Sequence, residues 1–357
     1  MAHRVIPPDH PKYPAIHKQV LINWVKTLAG YLTMGALIFL ALWAFDFTYR
    51  FQLGFGLLWF LLPVVMWWFS AKVALAMTKS KPADPTNPQH ARLIAIVDSV
   101  YPESGLKFKP PVYVSENPVP NAFATGPIHR KAVVAATEGL FKTGMNDDEI
   151  AAVFAHELGH VKNYDVGINS FLSVLSMIFF MIFDTGVRAM MATLNLFKRI
   201  FGIKPSSKGF FTGILEWVIM FVIFRITGML TRIVQMFVVR SRESGADATG
   251  ALMLGKPCDL STALQKLVAY AEKNRPKGRD LELYRAIRPM MTIDPLYDTL
   301  IEQKPKTLWA RIVRLWKYLQ LTHPPVSERV AMLERMNGGS CPAPQAVPTG
   351  CGCGENA

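Results

Sequence analysis

The stretch FAHELGHVKNYD, residues 154–165, decides how this chain is read. His156 and His160 stand four apart, so on a helix they share a face and can offer two imidazole nitrogens to one ion. Glu157 is turned about 100° from His156, beside such an ion rather than on it. A carboxylate there can take a proton from a water that a divalent ion has acidified to a pKa of roughly 7. Zinc accepts such nitrogen donors at about 2.0–2.1 Å and prefers a tetrahedral site. The competing reading is an accidental pair of histidines on an ordinary helix.

The residues before the motif favour a helix. Asn146 is placed to cap it, and Glu149, three residues on, completes a capping box. Asp147 and Asp148 fall in the first turn, where the helix dipole favours negative charge. Ile150, Val153, Phe154 and Leu158 then follow helical spacing. A catalytic zinc needs a third protein ligand and one open position. RSRESGAD, residues 240–247, offers Glu243 and Asp247, four apart on one face. In such a pair the first carboxylate can bind the ion, and the second can accept the outer N–H of a ligating histidine. Read without the histidines, the same residues are a solvated face flanked by Arg240 and Arg242.

Working outward, 51 % of the 357 residues are hydrophobic, and they are clustered. Nineteen uncharged residues lie between Lys26 and Asp46, and twenty-one between Arg50 and Lys72. Each run can cross a hydrocarbon core of roughly 30 Å. The short DFTYR between them makes a tight hairpin. Lys and Arg are concentrated on the side carrying the N-terminus and residue 72 onward, which points that side to the cytoplasm. The run begins too late and is too long for a signal peptide. Residues 167–183 form a third apolar run and 210–239 a fourth, the latter interrupted by Glu216, Arg225 and Arg232. Whether 167–239 crosses fully or dips in is left open by the sequence.

The net charge of +13 comes from 39 basic and 26 acidic residues. Without a nucleic-acid module, this reads as attraction to anionic headgroups, with no nucleic-acid partner. SKPADPTNPQ, residues 80–89, is a linker, and residues 90–104 resemble an amphipathic helix. PPVYVSEN and KAVVAATEGL read as strands of a small sheet, with the turn-rich NAFATG between them. Four cysteines make no disulfide framework. Three of them lie in the Pro/Gly-rich end, which reads as a flexible tail with incidental thiols.

NAFATG, VAATEGL, AHELGHVKNYD, SRESGADATGALMLGKP and THPPVSERVAMLERM, within residues 95–337, together resemble the HtpX-type membrane zinc metallopeptidases, kin to the CAAX prenyl proteases. The resemblance implies a gluzincin site. His156, His160 and Glu243 would hold one zinc ion per subunit, Glu157 would be the general base, and Asp247 would support a ligating histidine. It also implies that Asn121, Ala122, Phe123 and Ala124 form an edge strand taking up substrate backbone. His323 would lie near the oxyanion, as a catalytic group, with Arg329 nearby at the substrate.

The expected fold is α+β and mainly helical, a multi-pass membrane protein with a zincin-like catalytic domain built from an active-site helix and a small sheet with an edge strand. Its parts are an N-terminal arm (1–26), a transmembrane hairpin (27–71), a linker (72–89), a metallopeptidase domain (90–337) interrupted by a second hydrophobic hairpin at about 167–239, and a disordered tail (338–357). The expected activity is a zinc-dependent endopeptidase in the cell (inner) membrane, with its catalytic domain facing the cytoplasm. By the resemblance it would act on membrane or misfolded proteins in quality control. The competing readings are a CAAX-type processing protease and a basic membrane scaffold with a structural metal site.

Overall fold

A computed structural model describes residues 70–166, 208–274 and most of 307–344, together with isolated positions that include Thr292 and Ile293. Most of the first apolar hairpin and all of residues 167–207 lie outside the described residues, as does the tail from 345. The chain divides into two units. One comprises residues 1–23, 69–167 and 239–357, and the other residues 24–68 and 168–238.

The first unit opens with α1 (Ser70–Thr78) and a short strand β1 (Lys81–Pro82). Residues 72–78, expected in the linker, are therefore helical. AKVALAMT is rich in good helix formers, and the helix stops before Pro82 and Pro85. Helix α2 (Pro88–Ser104) starts with the Asn87 side chain accepting from the backbone N–H of Gln89 and His90, and ends at Gly105, whose φ of 67° suits glycine. Strands β2 (Val112–Ser115), β3 (Ala122–Thr125) and β4 (Val133–Thr137) complete a four-stranded sheet in the order β1-β2-β4-β3. β2 runs parallel to β4, and β3 antiparallel to it. NAFATG is thus a strand, and it lies at the end of the sheet.

Side chains alternate across β4. Val134 and Ala136 join the main core, while Ala135 packs with Phe123 and with Ala74 of α1. On the main-core side lies α3 (Asp147–Lys162), opened by the expected capping box between Asn146 and Glu149. It is buried almost all round, because α2, α5 (Pro257–Lys273) and β3 each cover part of it. Leu93, Val97 and Val100 of α2, Ile150, Phe154 and Leu158 of α3, and Leu260, Leu264 and Leu267 of α5 form the centre of that core.

A single 47-residue helix, α4 (Lys208–Leu254), carries the fourth apolar run straight into the Glu243–Asp247 stretch. Among the residues whose side chains are described, no helix is long and apolar enough to cross a membrane. The unit closes with α6 (Leu308–Leu319) and α7 (Val326–Asn337). Beyond α7, Cys341 is disulfide-bonded to Cys258 on α5, and its backbone N–H donates to Glu334. This corrects the reading of Cys341 as an incidental thiol in a loose tail: the start of the tail is tied to the domain.

Candidate metal centre

The site lies where α3 meets α4. The two helices come close because small residues face each other there. A Cβ added to Gly250 would fall 2.7 Å from the backbone nitrogen of His156, and one on Gly159 3.1 Å from the Ala246 carbonyl oxygen. That approach sets His156 and His160 opposite Glu243 and Asp247. All four are buried.

Each histidine is oriented through its outer nitrogen. His156 Nδ1 is 2.8 Å from Asp247 Oδ1, and His160 Nδ1 is 3.0 Å from Asp165 Oδ2. An Nδ1 turned to an outer carboxylate leaves each Nε2 with its lone pair directed inward. His160 Nε2 is 3.3 Å from Glu243 Oε1, and His156 Nε2 is 3.7 Å from Glu243 Oε2. Two ligands about 2.0–2.1 Å from a tetrahedral ion lie roughly 3.4 Å apart. The observed separations therefore match ligands around a shared ion better than direct hydrogen bonds. One ligand atom from each of His156, His160 and Glu243 lies within 4.8 Å of the others. His156 Nε2 is buried without a hydrogen-bond partner among the described residues. This donor set fits a divalent metal ion.

Glu157 sits beside this cluster. Its Oε2 accepts from the Ala124 N–H at 2.9 Å, and the Thr292 hydroxyl lies 3.3 Å from its Oε1. Burial raises its pKa above the ordinary value, against the opposing pull of His156 and His160. For Glu243, burial acts in the same direction, but His323 and His160 outweigh it and hold the carboxyl well below its usual range. Asp247 is likewise desolvated, yet Arg329 and His156 bring it down to about 2.

The remaining expected residues gather here as well. His323 Nδ1 is 2.9 Å from Glu243 Oε2. Arg329, expected at the substrate, is buried behind the site. Its Nε and Nη2 grip Asp247 at 2.8 and 2.6 Å, and its Nη1 donates to the Thr292 carbonyl at 2.6 Å. The Asn121 side chain accepts from the Thr292 N–H. Phe123 faces away from the cluster, toward α1. In the β3 register, Ala122 and Ala124 turn their backbone groups to the free edge, where Ala122 O accepts from the Thr292 hydroxyl.

Three participants were missed from the sequence. Asp165 holds His160 and is itself paired with Arg242, which is buried rather than solvated. Its only sequence signal is its place five residues after His160. Thr292 has no signal of its own.

The chain matches the description Peptidase family M48 over residues 87–337. Curated relatives include the Protease HtpX homolog of Desulfatibacillum aliphaticivorans, 34 % identical over 289 residues, 80 % of this chain and 79 % of the relative. The Protease HtpX homolog of Persephonella marina is 31 % identical over 270 residues, 76 % of this chain and 82 % of that one. The crystal structure of S. mikatae Ste24p aligns with a TM-score of 0.37 at 18 % identity, covering 89 % of this chain and 67 % of that one, too loose a match to compare the folds.

Proposed function

The chain belongs to peptidase family M48 and is a metalloprotease, and from that premise we propose a zinc-dependent membrane endopeptidase with His156, His160 and Glu243 as the metal ligands and Glu157 as general base. The observation that carries this reading is the buried convergence of two Nε2 atoms and one carboxylate, with both Nδ1 atoms held by outer carboxylates. When bound there, zinc would polarise the scissile carbonyl and acidify a water.

The chain's own groups do the rest. A peptide docks as an added strand on the free edge of β3, facing the backbone groups of Ala122 and Ala124. Those groups are engaged, Ala124 N–H by Glu157 and Ala122 O by Thr292. A substrate carbonyl that takes the Ala124 N–H releases the Glu157 carboxylate. Docking and arming of the base are then one event. Glu157 accepts the proton from water and returns it to the leaving amine. Asp247 and Asp165 keep the two histidines in the ligating tautomer, and Arg329 keeps Asp247 charged and in place. His323, whose Nδ1 lies 2.9 Å from Glu243 Oε2, would assist at the oxyanion.

The membrane reading assigns residues 27–71 and 167–239 to the bilayer, with the catalytic domain on the cytoplasmic side. Support comes from α4, where Val222, Ile226, Met229, Leu230 and Phe237 are all exposed. Water does not favour such a stripe, and lipid does. The substrates are proteins, which we assign to membrane or misfolded chains. Cleavage of prenylated peptides would instead favour the CAAX-type reading.

Glu157→Gln tests the central assignment. It should retain about one zinc per chain by elemental analysis and lose cleavage of casein. Undiminished cleavage removes Glu157 as the base. Loss of zinc would assign Glu157 to the ligands instead.

A further inference from the structure

A water-facing domain turns the apolar stripe of an amphipathic helix inward. Helix α6 does the opposite. In LWARIVRLWKYL, residues 308–319, Leu308, Ile312, Leu315 and Trp316 recur at helical spacing with Trp309 on their flank. Arg311, Arg314 and Lys317 fall on the other arc. Leu308 and Trp309 are 73 % and 72 % exposed, and Ile312, Leu315 and Trp316 are 50 %, 59 % and 40 % exposed. Ala310, Arg314 and Tyr318, away from that stripe, are half-buried. The helix therefore leans on the protein with the arc of Ala310, Val313, Arg314 and Tyr318, and presents its apolar stripe outward with the exposed Arg311 beside it.

The arrangement is pinned. Arg240 Nη1 donates to the carbonyls of Tyr318, Leu319 and Leu321 at 2.9, 3.4 and 3.1 Å, and its guanidinium lies 5.1 Å from the centre of the Tyr318 ring. A cation on the last carbonyls of a helix also complements its dipole. Arg240 is the residue directly after the apolar run 210–239. The C-terminal end of α6 is thus tied to the point where α4 leaves its apolar segment.

We propose that α6 lies in the plane of the membrane interface, with Leu308, Trp309, Ile312, Leu315 and Trp316 seated at the headgroup–acyl boundary of an anionic bilayer. The inference rests on the membrane reading above. Charge decides for lipid over a second copy of the chain. The helix carries three basic residues and no acidic one, so two copies meeting face to face would bring like charges together. An anionic surface satisfies the same charges, and indole rings favour the interface. The seating matters for the site because His323 follows the helix by four residues. The loop that brings this histidine to Glu243 then starts from the membrane surface.

The test uses the full chain in nanodiscs of phosphatidylcholine and phosphatidylglycerol, with Cys351→Ser and Cys353→Ser and the Cys258–Cys341 bridge intact. Nitroxides are placed singly through Ile312→Cys, Leu315→Cys, Arg314→Cys and Val222→Cys. Their collisions with oxygen and with a water-soluble nickel chelate are compared. Labels at 312 and 315 should favour oxygen, at a depth of about 5–10 Å, while the label at 314 favours nickel. Nickel access at 312 and 315 with a lipid-buried label at 222 overturns the placement of α6 alone. Nickel access at 222 as well overturns the membrane-spanning reading. Spin–spin broadening at 312 or 315 that scales with chains per disc assigns the face to a second copy and overturns the lipid assignment.

Discussion

Arg329→Met should be among the most damaging single changes outside the metal ligands. Arg329 is 1 % exposed and Asp247 is fully buried. The guanidinium makes two bonds to Asp247 and one to the Thr292 carbonyl. Methionine keeps most of the apolar stem, so the change removes the charge and the donors rather than the packing. It leaves Asp247 as a buried carboxylate whose remaining ion-pair contact among the described residues is the His156 ring. Breaking a buried pair from one side costs about 3–5 kcal/mol. Against a total stability on the order of 5–15 kcal/mol, that is a large fraction. For a domain of this size the midpoint should fall by roughly 6–20 °C. The assay is thermal unfolding in detergent, followed by tryptophan fluorescence, with a chelator present. The chelator matters because a poorly supported histidine also weakens metal binding, and metal linkage would inflate the shift. Arg329→Lys should recover only part of the loss, since an ammonium cannot supply the two-pronged contact. Adding Asp247→Asn to Arg329→Met should cost less than the sum of the two changes. A midpoint within about 2 °C of the parent for Arg329→Met would refute the account of the pair.

Asp165→Asn should weaken zinc binding by about 10–100-fold, read by competition with a chelating dye, because His160 loses its anionic support. Unchanged affinity would show that Asp165 does not tune the ligand. Gly250→Ala should destabilise the domain by about 1–3 kcal/mol and lower its zinc content, since the new Cβ meets the backbone of His156. Normal stability and zinc occupancy would mean that the helices part without disturbing the site. Reducing the Cys258–Cys341 bridge should lower the unfolding midpoint. Its 83-residue separation puts the ceiling near about 4.5 kcal/mol in the chain-entropy description. Thiol counting in whole cells then tests the topology. A cytoplasmic domain should yield these two cysteines as free thiols, and a bridge intact in the cell would reverse the assigned side.

What the sequence disclosed and what it hid divide along a physical line. Groups that act within one helix were legible. The capping box of Asn146 and Glu149, the shared face of His156 and His160, and the pair Glu243 and Asp247 all follow from the 3.6-residue repeat. Asp165 was hidden because it lies past the end of α3, where that repeat no longer applies. Tyr164 takes a φ of 59°, a left-handed conformation uncommon for tyrosine, and its ring stacks on His129 at 4.0 Å. That turn carries the chain back so that Asp165 meets His160. Arg240 and Arg242 stood in the sequence only as flanks of Glu243 and Asp247, because their roles are set by partners distant in the chain, the carbonyls at the end of α6 for one and Asp165 for the other. Thr292 and Arg329 were misread or missed for the same reason.

The convergence itself depends on a residue with no chemistry. ATGALML reads as an ordinary apolar helix, and glycine within it is locally unfavourable by about 1 kcal/mol relative to alanine. That local cost is intelligible only across the interface, where any side chain on Gly250 would collide with the backbone of the helix that bears both histidines. A Cβ would push α3 outward, and both Nε2 atoms would withdraw from Glu243 together. Because the ligand separations of 3.3 and 3.7 Å leave little slack around an ion, a displacement of under an ångström at this crossing reaches the metal directly. The helix crossing, as much as the HELGH motif, therefore makes the site.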